Sequence, residues 1–239
     1  MTIKITGLRW WIIGLLTLGT ITNYLARSSL GVAAPDVMQH LHISTQQYGW
    51  ITGAFLFMYP IGAPLTGYLM DRVGLRAGFL ICGVAWALIC MAHGFAAGWV
   101  GLFVLRGMLG VAEAAFIPGG MRVAAFWFPA RERAIAAGIF NLGASFGAIL
   151  APPLIAWSIL HYDWRTAFLI VGGLALCWAV LWLLLYRNPN RHKALSTEEA
   201  TYITAGQEPT LRADDDAKPS LHKILKERNF WGIALPRFF

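Results

Sequence analysis

Charge is what this sequence has least of. Only 13% of its 239 residues are Asp, Glu, Lys or Arg, while 57% are hydrophobic, and a soluble domain carries about twice that share of charge. A water-facing surface over the whole chain is therefore excluded. Acids are the scarcer sign, 12 against 19 bases, and up to Lys193 they are Asp36, Asp71, Glu113, Glu132 and Asp163 alone. The basic excess thus belongs to the apolar part of the chain. Its bases come one or two per loop and never form a stripe, which excludes a nucleic-acid partner and is the ordinary mark of cytoplasmic loops. Cysteine is rare: Cys82, Cys90 and Cys177 lie inside apolar segments, match no metal spacing and imply no disulfide framework, so they read as small packing residues. No histidine falls in the middle of an apolar run, and there is no HExxH, GxSxG or pair of intramembrane Asp. The sequence shows no catalytic set, no metal site and no cofactor motif.

What is present is length without polarity. Hydrophobic runs at Leu8 to Val32, Tyr48 to Met70, Ala77 to Ala97, Trp99 to Phe128, Ala134 to Leu160 and Trp164 to Tyr186 each match or exceed the roughly 20 residues that cross a bilayer. An all-α polytopic membrane protein with six spans follows, and the lipid bilayer is its first partner. Asn23 and Arg27 interrupt the first run, which is too long for a cleavable signal core. Lys4 and Arg9, Arg72 and Arg76, Arg131 and Arg133, and Arg187, Arg191 and Lys193 fall on one side of such a bundle, so that side, with the N-terminus, is expected to be cytoplasmic. Trp10, Trp11, Trp99, Trp127 and Trp164 stand at expected span ends, where an interfacial belt accounts for them. The bundle is expected over 1–187 and a cytoplasmic linker over 188–228, in which Ser196 followed by Glu198 and Glu199 suits a helix start. Residues 229–239 turn apolar again. So few residues cannot span, and they read as the opening of a seventh helix.

The fourth run holds RGMLGVAEAAFIPGG, with Arg106 and Glu113 among small apolar residues. Insertion scales put a central Arg or Asp at about 2.5 to 3.5 kcal/mol, so such ions face a protein interior or a wet cavity. Seven residues apart, the two share a helix face with about 10 Å between them along the axis. In the first run Asn23 and Arg27 share a face, with Tyr24 beside Arg27. Arg27 and Arg106 lie at similar depth, and two buried cations repel unless something acidic visits; the guanidinium fork fits a carboxylate. An anionic substrate is one reading. The other is that Glu113 neutralises one of the arginines permanently. Tyr59, before Pro60, and Asn141 in the fifth run can hydrogen-bond a polyol or simply pack. Between the second and third runs Gly67, Leu69, Asp71, Arg72, Gly74 and Arg76 spell GxLxDRxGxR. Its glycines allow a tight turn, and Asp71 with the two arginines can form a breakable charged network, a candidate gate.

GxLxDRxGxR is similar to the signature loop of the major facilitator superfamily. Over nearly its whole length, in GLRWW, STQQYGW, RGMLGVAEAAFIPGG, WFPARERAIAAG, NLGASFGAILAPPL and FWGIALPRFF, the chain resembles the N-terminal half of that superfamily's anion:cation symporters, most closely the bacterial hexuronate transporters. The resemblance implies a six-helix half of 3+3 inverted repeats, with a second half still needed to complete the site. It implies contacts to a sugar acid from Arg27, Tyr59 and Arg106, and a coupling proton on Glu113. Several relatives carry Asp immediately before the first-span Arg as a second proton site, where this chain has Ala26. The implied activity is proton-coupled symport of a hexuronate or similar sugar acid across the bacterial cytoplasmic membrane. The alternatives are another organic anion, such as an aldarate or aldonate, and a non-transporting half-length protein or sensor.

Overall fold

A computed structural model describes residues 4–207; the expected opening of a seventh span, 229–239, lies outside the described residues. The elements are α1 (Leu8–His40), α2 (Thr45–His93), α3 (Trp99–Glu113), α4 (Phe116–Trp127), α5 (Arg133–His161), α6 (Trp164–Leu185) and α7 (Thr197–Ala205). Four helical stretches are long and apolar enough to cross a membrane by length and composition: Thr45–His93, Trp99–Trp127, Ala130–His161 and Trp164–Leu185. The first of these holds two passes. Gly74 alone leaves helical geometry, at φ 81° and ψ 161°, a conformation that Gly adopts freely and other residues resist. Packing shows the reversal. Before it, a Cβ on Gly110 would meet the carbonyl of Phe55, and one on Gly119 the sulfur of Met70, so this limb runs with α3 and α4. After it, Phe79 meets Phe116, and the chain then climbs back past α6 to His93.

With α1 the passes number six, the all-α half-bundle read from the sequence. Several boundaries moved. The loop expected to hold GxLxDRxGxR is helical up to Val73, so Asp71 and Arg72 ride on a helix end. The fourth run is divided, α3 ending at Glu113 and α4 starting at Phe116. Pro118 accounts for this, because its ring crowds the carbonyl four residues earlier and it has no N–H to donate. α1 runs on to His40. Ser44 and Gln47 form a reciprocal capping box at the start of α2, with bonds of 3.2 and 2.9 Å. Asp163 caps α6 by accepting the Thr166 amide at 2.8 Å, and this backbone bond holds its carboxyl below the usual carboxylate range.

Small residues set the helix contacts. On α5 a Cβ on Gly143 would meet Thr17 and Thr20 of α1, and one on Gly147 would meet Ile21 and Tyr24, so α1 and α5 run parallel in close contact. Two apolar cores stack along the bundle. One, nearer Gly74, gathers Phe79, Trp86, Phe116, Trp178 and Trp182; the other gathers Leu25, Leu30, Leu102, Ile155 and Phe168. Trp127 and Trp164 are fully buried in this packing, which corrects the belt reading for those two. Their rings fill helix junctions, while Trp10, Trp11 and Trp99 are exposed. Cys177 is also exposed, unlike Cys82 and Cys90, so only two of the three cysteines pack inside.

The start of the expected linker is not loose. Ser196 caps α7 through the Glu199 amide at 3.2 Å, and Glu199 in turn accepts the amides of Leu8 at 3.0 Å and Arg9 at 3.2 Å. A buried carboxylate thus satisfies the free N–H groups of α1, whose own preceding residue, Gly7, has no side chain to do so. Arg9 joins Glu199 and Glu132, and Tyr202 donates to Glu132. Packing against the bundle therefore continues beyond residue 187, with Leu195 and Ile203 in the core.

Candidate functional site

Arg106 lies on α3 between Leu102, in one core, and Leu109, in the other. The charged residues occupy the seam between two apolar blocks. Arg106 and Glu113 are buried, at 3% and 0% exposure, and their seven-residue spacing puts both on the face that α3 turns to α1. There Glu113 Oε2 meets Arg27 Nε at 3.3 Å. The carboxylate thus reaches across to α1 and leaves its own helix's arginine about two turns away. Arg106 Nη1 donates to the carbonyl of Arg27 at 3.2 Å, so one short stretch of α1 receives both α3 charges. Among the described residues, Arg106 Nε and Nη2 and Glu113 Oε1 are buried without a hydrogen-bond partner.

Arg27 is the accessible member, its side chain 29% exposed. Its guanidinium carbon stands 4.9 Å from the Tyr24 ring, 5.0 Å from Phe55 and 4.8 Å from Tyr59. Three aromatic faces hold the fork in place while leaving an edge open. Tyr24 and Tyr59 thus join the cluster through Arg27. Asn23 is buried one turn earlier, with its Nδ2 unpartnered among the described residues. Asn141 is exposed and donates to Ala137 of its own helix at 2.9 Å, so the half-bundle alone does not bring it to the arginines. Ala26 is fully buried, leaving Glu113 as the one carboxylate of the cluster.

The second set of charges lies at the Gly74 turn. Asp71 pairs with Arg122 of α4, not with the two arginines of its own motif. Arg72 stacks on Tyr68 at 4.9 Å. Arg76 donates to the carbonyl of Leu183, and its own carbonyl accepts from Trp182 Nε1 at 3.2 Å. Gly67 is open on its helix face.

Sequence reasoning missed Phe55, Arg122 and His93. Phe55 precedes Tyr59 by four residues and so shares its face, a signal that was there to read. Arg122 is a further cation in the same apolar run as Arg106. His93 is fully buried and stacks on Phe168 at 5.3 Å, a packed position that its place at a span end concealed.

A multi-span helical bundle with a charged cluster in the seam between two apolar cores, and a second ion pair at a one-residue turn, is the architecture of a membrane transport protein. A family model described as Major Facilitator Superfamily matches residues 16–239, and the chain belongs to that superfamily. As a member of a transporter family it is not an enzyme. The chain is similar to a galacturonate transporter of Dickeya chrysanthemi, 48% identical over 98% of this chain and 68% of that protein. It is 47% identical to a hexuronate transporter of Escherichia coli (strain K12), over 98% of this chain and 54% of that one, so it spans about half of that relative's length. A probable galactarate/D-glucarate transporter of the same strain is 32% identical over 85% of this chain and 46% of that protein. Among solved structures, a bacterial homolog of the human lysosomal transporter Spinster, inward-facing and unoccupied, aligns with TM-score 0.69 at 21% identity, over 97% of this chain and 52% of that one. That likeness concerns the fold.

Proposed function

We propose that this chain is the N-terminal half of a secondary transporter that carries a hexuronate or similar sugar acid into the bacterial cell across the inner membrane, N-terminus inside, in symport with one proton. The observation that carries the reading is the charge arithmetic of Arg27, Arg106 and Glu113. With Glu113 ionised the cluster holds two cations and one anion. A sugar monoacid that takes the open guanidinium edge of Arg27 and the unpartnered N–H groups of Arg106 displaces Glu113 as counter-ion. A proton arriving on Glu113 restores the original net charge. Anion and proton therefore enter together at no change of buried charge, and either alone leaves an ion uncompensated, which is costly at this depth. The relatives' names for galacturonate and hexuronate agree in chemistry, since each is a monocarboxylate.

A dianionic aldarate is the specific rival, given the relative named for galactarate and D-glucarate. It would need two protons to keep the same balance. Ala26 leaves Glu113 as the one carboxylate of the arginine cluster, which favours the monoacid.

The test uses proteoliposomes holding the full-length protein and measures galacturonate uptake under an imposed pH gradient or an imposed sodium gradient, with the membrane potential clamped at zero. Accumulation with the pH gradient and none with sodium is expected, without current. Equal accumulation under sodium, or uptake only of dianions, would overturn the proposal.

The pair Asp71–Arg122 is assigned to the gate at the cytoplasmic mouth, with Gly67, Arg72, Gly74 and Arg76 shaping the helix ends around it. Asp71→Asn is expected to slow turnover roughly 10-fold and to leave substrate affinity within a few-fold, because the pair lies apart from the arginine cluster. Arg122→Gln should do the same, and the double variant should be no slower than either single one, since both break one contact. Additive losses in the double variant would show that the two residues act separately.

A further inference from the structure

At the Gly74 turn a second group of arginines gathers, of which the transport reading uses Arg76 but neither Arg187 nor Arg191. A cavity of about 290 Å³ opens there between the turn and the chain leaving α6, with Val73, Gly74, Arg76, Arg187, Asn188 and Arg191 among its lining residues. Three arginines line it and no acid does. Arg187 and Arg191 are exposed and belong to none of the ion pairs among the described residues. Arg76 is fixed at both ends: its fork donates to Leu183 and its backbone accepts from Trp182, while its Nε is buried and unpartnered among the described residues. Arg76 at least is held in place, as a merely topological cation need not be.

We propose that this cavity binds the phosphate of an acidic phospholipid headgroup from the adjoining leaflet. Like charges converging on one small space repel unless an anion joins them, and guanidinium forks fit phosphate oxygens well. What selects a lipid over a free phosphate is the surface beside the cavity. Val73 is 42% exposed, and on the last turn of α6 Leu184 and Leu185 are 65% and 53% exposed. The phosphate sits where the helices leave the membrane and the acyl chains lie along these leucines. Basic pockets between spans at the cytoplasmic membrane edge are suited to such headgroups. The neutral Asn188 adds an amide for a glycerol hydroxyl.

The experiment is native mass spectrometry of the delipidated full-length protein titrated with dioleoyl phosphatidylglycerol, and separately with dioleoyl phosphatidylcholine. Full-length protein retains the acids Asp214, Asp215 and Asp216, so any competition from them is included. Phosphatidylglycerol should bind saturably and in clear preference to phosphatidylcholine. Arg187→Gln with Arg191→Gln, two exposed changes that leave the bundle's packing untouched, should weaken phosphatidylglycerol binding by about 30-fold. Lys193→Gln removes a charge from the same segment without touching the cavity lining, and should leave binding within two-fold. An equal loss in Lys193→Gln would mean diffuse attraction and would overturn the site. Unchanged binding in the double arginine variant would do so as well. Millimolar inorganic phosphate that displaces phosphatidylglycerol completely would reassign the cavity to a soluble anion and end the lipid proposal.

Discussion

Arg106→Ala in the full-length protein is expected to lower sugar-acid affinity by a factor on the order of 30 to 1,000, the 2 to 4 kcal/mol lost when one side of a buried charged contact is truncated. Arg106 is buried, and two of its N–H groups have no partner among the described residues; these are the donors that a carboxylate can take. Arg106→Lys keeps the charge and recovers little, because an ammonium cannot hold the Arg27 carbonyl and present a planar fork together. The measurement is equilibrium binding of galacturonate to purified protein, with melting temperature followed in parallel to show that the variants are folded. Wild-type affinity in the Lys variant would make Arg106 a point charge only. Wild-type affinity in the Ala variant would remove it from the site.

Glu113→Gln is expected to stop uptake driven by a pH gradient while substrate binding and exchange of internal for external substrate continue. Glutamine has nearly the shape of the protonated acid and none of its titration. Once Glu113 is neutral, Arg27 loses the partner that the structure gives it at 3.3 Å, and its guanidinium is free for the substrate anion. The variant is therefore fixed in the state that a proton would create: the sugar acid binds and crosses, but no proton accompanies it. Concentrative uptake and counterflow in proteoliposomes, measured on one preparation, separate the two consequences. Concentrative uptake undiminished in Glu113→Gln would take the coupling away from this residue. Loss of exchange together with uptake would show that Glu113 is needed as an anion for the bundle to change its facing.

Arg27, Arg106 and Glu113 were legible because an ion within an apolar run is conspicuous in a one-dimensional string. Their partnership was not. Axial distance along one helix can be counted from sequence, and it argued against a pair between Glu113 and Arg106. Nothing in the string says which residue on another helix stands opposite, and that residue proved to be Arg27. Asp71 repeats the lesson. Its neighbours Arg72 and Arg76 were the obvious partners by proximity, yet Arg72 turns to Tyr68 and Arg76 to α6, and Arg122 supplies the counter-charge from α4.

Composition and hydrophobic length by themselves determined that the chain spans a membrane, that its described part is helical, and roughly where each pass lies, because a bilayer penalises every unpaired backbone group and every stray ion. The position of Gly74 also determined where the second helical rod turns, since backbone geometry is a local matter; the break before Pro118 could not be told in the string from Pro60, Pro64, Pro152 and Pro153, which stay inside their helices. Tertiary structure alone decided which arginine receives Glu113, that Phe55 completes the aromatic cage, that Trp127 and Trp164 pack inside, and that Glu199 caps the first helix from nearly two hundred residues away. These outcomes depend on how helices are rotated and how deeply they approach one another. Small residues such as Gly143 and Gly147 set that approach, and the choice of neighbour is a sum over many weak packing contacts that no single segment encodes.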